Sequence, residues 1–169
     1  TPGKRTYKVK VTLPVSQSGG DAQPAATQVR PSKTINVTVK VKPTAPTITP
    51  QTNGDVTITP ANETNVNTLN FTYIHPNGNT QNITATKNGN TWSLSSNTPP
   101  DGVTINENTG VVTIKDRAVK DNQTVTAKSV TADSALADRV ESDITNGTSP
   151  AGDTERPKFV FQPDANPNT

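Results

Sequence analysis

The chain has 169 residues, a formal net charge of +2, no Cys and no Met, and its hydrophobic fraction is 28%. That fraction is well below the roughly 45–50% apolar content of an ordinary globular domain, so one thick core is excluded in favour of thin layers. The missing cysteines exclude disulfides and thiol chemistry. No apolar run approaches the roughly 20 residues of a membrane helix, and a charge this small, read here as Lys and Arg alternating with acids, gives no field for nucleic acid.

With 30 Thr, 15 Pro and 10 Gly, the composition favours short strands separated by turns. Residues 7–13, YKVKVTL, alternate strictly, with Tyr7, Val9, Val11 and Leu13 on one face and Lys8, Lys10 and Thr12 on the other. Residues 34–41, TINVTVKV, repeat the pattern with Ile35, Val37, Val39 and Val41 inward. The Ser-, Gly-, Ala- and Pro-rich residues 14–32 between them predict a long loop. Residues 1–42 are therefore expected to be a β-hairpin module, with outward lysines that discourage edge pairing. Residues 43–50, with Pro43, Pro46 and Pro50, are expected to be a stiff Pro-rich linker.

A second domain is expected over residues 51–162, with its core in 51–131. Strands are predicted at 56–59, 69–74, 81–87, 91–94 and 123–129, separated by Asn-Gly turns. Leu69, Phe71, Tyr73, Trp92, Leu94, Val125 and Ala127 should point inward. The stretch 99–114, PPDGVTINENTGVVTI, organises this domain. It predicts strands 103–105 and 111–114 around a turn in which Gly110 supplies the positive φ. Residues 132–145 are the only helix-friendly piece, with Leu136 and Val140 four apart and Asp133 or Ser134 placed to cap, and a turn of helix or an irregular crossover is expected there. Residues 146–156 read as loop. Residues 158–162, KFVFQ, read as a strand with Phe159 and Phe161 on one face, either closing this sandwich or opening a following module. Residues 163–169 are expected to be a disordered tail. Lacking an initiating Met or a signal-like start, the sequence is expected to be a section of a longer polypeptide.

Two stretches carry a resemblance. Residues 1–14, TPGKRTYKVKVTLP, with INVTVKV, look like the closing hairpin of Rib-type or YPDG-type repeats from Gram-positive surface proteins. Leu13-Pro14-Val15 stands where those repeats carry Tyr-Pro-Asp-Gly. PTAPTITPQTNGDVTITP, NGNTWSL, PPDGVTINENTGVVTI and TVTAKSVTAD are similar to the Ig-like and cadherin-like modules of wall-anchored adhesins of the staphylococcal type. The resemblance implies an all-β, Ig-like or cadherin-like antiparallel sandwich preceded by a β-hairpin. It implies an extracellular setting on the bacterial cell wall and a stalk or spacer role in an adhesin supporting attachment to host matrix or biofilm formation. The partners it implies are adjacent repeats, or a host extracellular-matrix protein or glycan, with no nucleic acid and no membrane insertion. The alternatives are a module that binds such a ligand directly and an accessory domain of a secreted carbohydrate-active enzyme.

Candidate chemistry is sparse. His75 is the only histidine and falls in a turn, so a nucleophile–base pair has no members and no enzyme is expected. Asp101, Glu107, Asp116, Asp121 and Asp133 could supply oxygen to calcium, but they read as solvated turn residues. Lys87 and Lys128 on strands could join an Asn in an intramolecular isopeptide bond, though strand lysines are ordinarily surface. Trp92 and Tyr73 could stack on a sugar, but inward aromatics of a sandwich are core. Asn36, Asn62, Asn70, Asn82, Asn122 and Asn146 open Asn-x-Thr sequons that a bacterial source leaves bare. No catalytic, metal or cofactor residue is assigned.

Overall fold

A computed structural model describes residues 1–12, 32–96 and 98–152. They form an antiparallel β-sandwich preceded by a two-stranded hairpin. The hairpin pairs β1 (Gly3–Thr12) with β2 (Ser32–Val41) over ten residue pairs, Gly3 opposite Val41 and Thr12 opposite Ser32. One sheet of the sandwich contains β3 (Thr47–Pro50), β4 (Val56–Thr59), β8 (Val103–Ile105) and β9 (Val112–Ile114), in the order β3-β4-β9-β8. The other contains β5 (Val66–Ile74), β6 (Thr80–Asn88), β7 (Thr91–Leu94), β10 (Thr124–Thr131) and β11 (Thr145–Thr148), in the order β11-β10-β5-β6-β7.

Period-two patterning decides which side chains fill the space between the sheets. Leu69, Phe71 and Tyr73 of β5, Ala85 of β6, Trp92 of β7 and Val125 and Ala127 of β10 meet Val56, Ile58, Val103, Val112 and Ile114 from the opposite sheet. Leu94 is half-buried and packs on the edge of this core. The intervening Thr and Asn residues face outward and bond across strands. Thr72 Oγ1 lies 2.6 Å from Thr126 Oγ1, and the Thr84 hydroxyl donates to Asn70 Oδ1 at 2.8 Å. Polar outer faces and an apolar seam explain how a chain so poor in hydrophobics closes a core.

The β8–β9 hairpin is bolted to the other sheet through Trp92. Gly110 has φ +74°, and its amide closes the turn on Asn106 O at 2.8 Å. The Asn106 side-chain oxygen accepts the amides of Asn108 and Thr109. The indole of Trp92 lies on Gly110 so closely that a Cβ there would sit 2.7 Å from Cε2 and Nε1. The Trp92 amide donates to Glu107 O at 2.8 Å.

Three expectations need correction. Residues 47–50, expected inside the linker, form β3, paired with β4 along its whole length. Pro50 is tolerated because β3 is an edge strand, where a missing donor costs no ladder bond on the open side. Residues 146–148, expected as loop, form β11 together with Thr145 on the edge of β10. Residues 132–145, expected as a turn of helix or an irregular crossover, hold one 3-10 turn, Leu136–Asp138, whose start carries no side-chain cap from Asp133 or Ser134; Val140 is buried while Leu136 is 76% exposed. Finally, the charges do not alternate. Residues 1–42 carry eight Lys or Arg and one Asp, a net +7, whereas residues 43–169 carry eight Lys or Arg and thirteen Asp or Glu, a net −5. Residues 14–31 of the expected loop, the expected strand at 158–162 and the tail 163–169 lie outside the described residues.

Candidate functional site: the hairpin and its joint

Among the described residues, nothing covers either face of the hairpin. Tyr7, Val9, Val11, Ile35, Val37, Val39 and Val41, expected inward, are each 36–55% exposed. Alternation sorts side chains to a face but does not say what covers that face. Direct pairing of Tyr7 with Val37 and Val9 with Ile35 gathers the apolar residues on one side. Lys4, Lys8, Lys10 and Lys40 share the other side with Thr6 and Thr38, whose hydroxyls meet at 3.2 Å.

The base of the hairpin, by contrast, is built into the sandwich. Pro2 and Gly3 are buried. Asn65 Nδ2 donates to Pro2 O at 3.0 Å, and Arg5 Nη2 donates to the same oxygen at 3.0 Å. The Asp133 carboxylate accepts from the Thr131 hydroxyl, the Asn65 side chain and the Lys4 amide. The Thr131 hydroxyl leads in holding that carboxyl below its ordinary value; burial opposes it, and Asn65, Lys4 and the charge of Arg5 add to the lowering. Gly3 is at φ +107°, and a Cβ there would meet Asp133 Oδ2 at 2.6 Å, so only glycine seats. Lys4 Nζ pairs with Asp138 at 3.0 Å, Lys40 Nζ donates to Ala137 O at 2.7 Å, and Lys42 pairs with Asp143. Glu63 accepts from the hydroxyl and the amide of Thr44, which together depress its carboxyl against a weak opposing effect of burial. These bonds fix the hairpin and the short connection to the start of β5 and the end of β10.

At the edge where the sheets meet, β3 and β11 lie side by side and run the same way. The Thr145 hydroxyl donates to Pro46 O at 2.6 Å, and two residues on Ile48 packs onto Gly147. A Cβ at Gly147 would be 2.5 Å from Ile48 Cγ2, so the close approach requires glycine. β3 begins at the joint, and β11 ends at the opposite pole, where Ser149 bonds Gln123 and Lys120 and Gly152 lies against Asp121.

The other candidates are dispersed. His75 sits in the β5–β6 turn, where its Nδ1 accepts the Asn77 amide at 3.3 Å. Asp101 pairs with Arg117, which holds its carboxyl below the ordinary range. Glu107 is exposed in the β8–β9 turn, Asp116 and Asp121 are at the far pole, and Asp133 is at the joint. Among the described residues no three His, Cys, Asp or Glu side chains come together in a way that could hold a metal. Lys87 lies opposite Trp92 in the β6–β7 pair. Lys128 lies opposite Asn70, but its Nζ pairs with Glu141 at 2.8 Å on the outer face. Trp92 is 4% exposed and Tyr73 is fully buried, so neither offers a ring to a sugar.

Asp55 was missed by sequence reasoning. It accepts from Lys115 Nζ at 2.9 Å, from the Asp116 amide at 3.0 Å and from Asn53. Burial alone would raise this carboxyl, but those donors together outweigh it and hold it low. Its only signal was the Asn53-Gly54-Asp55 turn, and its role is to tie β4 to the segment after β9.

No family model, curated protein or solved structure matches this chain.

Proposed function

We propose that this chain is a spacer module of an extracellular bacterial surface adhesin, carrying tension rather than chemistry. The observation that supports the reading best is the parallel placement of β3 and β11 at the edge of the sandwich. The chain enters the sandwich at the start of β3 and leaves after β11 at the opposite pole. Tension between these points pulls β3 along β4 and β11 along β10, so all the ladder bonds of both strands are loaded together. A strand pulled lengthwise must break its bonds at once, whereas one pulled sideways unzips them singly. The bonded joint transmits that load to the hairpin base without a free hinge.

The resemblance of residues 1–14 and 43–133 to wall-anchored adhesin modules supplies the setting, and adjacent repeats are the partners it implies. Small-angle scattering tests the shape. The spacer reading expects an elongated particle, with a radius of gyration well above the roughly 15 Å of a compact domain of this length. A compact sphere contradicts it. A second reading, direct binding of a host matrix protein or glycan, draws on the uncovered hairpin, whose open edges suit β-augmentation. Pull-down against matrix proteins and glycan arrays separates the two, since a spacer retains nothing.

A further inference from the structure

We propose that residues 158–162 of a second copy of this chain add to the edge of the hairpin and cover its apolar face, linking copies head to tail. This goes beyond the spacer reading and does not depend on it. Four observations carry it.

The first is the uncovered face. A two-stranded ribbon is marginal in water by itself, and a third strand is what gives a hydrophobic face lasting stability. Seven apolar side chains of β1 and β2 remain 36–55% exposed. The second is complementarity. KFVFQ is a five-residue alternating segment with Phe159 and Phe161 on one side, the pattern that continues the Tyr7, Val9, Ile35 and Val37 face when added to a free edge.

The third is reach. Gly152 lies by Asp121, three residues before β10, and Asp133 lies two residues after β10, at the joint. The eight residues of β10 separate the poles by about 25 Å, and the middle of the hairpin lies about 15–20 Å from its base. The five residues 153–157 span about 20 Å at full extension. With the hairpin held to the sandwich through its base, five residues fall short of a copy's own hairpin along that path, which favours the hairpin of another copy.

The fourth is charge. Residues 1–42 carry a net +7, so a second hairpin laid face to face brings two cationic surfaces together. Residues 153–169, with three acids and two bases, carry a net −1 and do not repel the hairpin.

The test uses the full chain. Sedimentation velocity at rising concentration, up to about 1 mM at the weak end of the affinity scale, should show a mass that grows without stopping at a dimer and falls with added salt. Phe159→Ser with Phe161→Ser should leave a monomer with unchanged thermal unfolding. Because the chain has no Cys, single substitutions report the contact: Phe161→Cys in one copy should cross-link under oxidation to Val9→Cys or Ile35→Cys in another. Monomer at every concentration overturns the proposal. So do association that survives the Phe pair, a stop at a dimer through hairpin-to-hairpin cross-links, and an intramolecular cross-link in a chain carrying both Phe161→Cys and Ile35→Cys.

Discussion

Replacing Gly110 with Ala tests the contact on which the two sheets depend. Two penalties act at this position. The backbone sits at φ +74°, where an L-residue costs about 1–2 kcal/mol. The new Cβ would also lie 2.7 Å from the Trp92 indole, and forcing a well-packed ring aside costs about 1–3 kcal/mol. Together they predict a loss of about 2–5 kcal/mol, a large part of the 5–15 kcal/mol typical of a domain. Gly89→Ala separates the terms, because Gly89 is at φ +61° with nothing within 4 Å of its Cβ position; it should lose only about 1–2 kcal/mol. Urea titration followed by circular dichroism of the strands measures both, and still reads variants that lack Trp92, the single tryptophan. Trp92→Phe should be less harmful in the Gly110→Ala background than in the native chain, since a smaller ring relieves the overlap. The reasoning is refuted if Gly110→Ala costs no more than Gly89→Ala, or if the two substitutions simply add.

Gly147→Ala, with no left-handed backbone to satisfy, should push Ile48 off β11 and lower stability by about 1–3 kcal/mol, read by the same titration. Tyr73→Phe should be neutral or stabilising by up to about 1 kcal/mol, because among the described residues the buried Tyr73 hydroxyl has no hydrogen-bond partner. Burial raises the Tyr73 phenol above its ordinary 10.0, so its contribution is intact below that pH and is lost as pH rises through the folded value; alkaline denaturation of Tyr73→Phe should show a weaker slope. At the other end of the scale, Asp55, Glu63 and Asp133 are held below their ordinary values of 3.8 for Asp and 4.5 for Glu. The stability they supply is present above those values and is lost as pH falls through the lowered ones. Thermal melts should fall steeply below about pH 4, less so in Asp55→Asn.

Much of the sandwich was legible because its long strands announce themselves by alternation. Leu69, Phe71 and Tyr73 are the inward positions of β5, and Gly110 adopts the turn conformation its neighbours required. Two of the four edge strands of the sandwich, β3 and β11, were not legible. TITP holds one apolar residue between prolines and TNGT holds none, so their strand character comes from partners, β4 and β10, far along the chain. Leu136 and Val140 had helical spacing, but four residues of pattern cannot repay helix nucleation. The joint was hidden for the same reason as the edges: Gly3, Asn65 and Asp133 meet only once the sheets have formed. The segregated charge was open to simple counting, and the near-zero total concealed it.

Stretching single molecules along two axes tests the central claim most directly. Handles at residues 42 and 152 load β3 and β11 lengthwise, whereas handles at residues 89 and 152 pull the β6–β7 corner sideways from its sheet. The account predicts a markedly higher unfolding force for the first axis, and Gly147→Ala should lower that force while leaving the second unchanged. Equal forces along both axes would contradict the account.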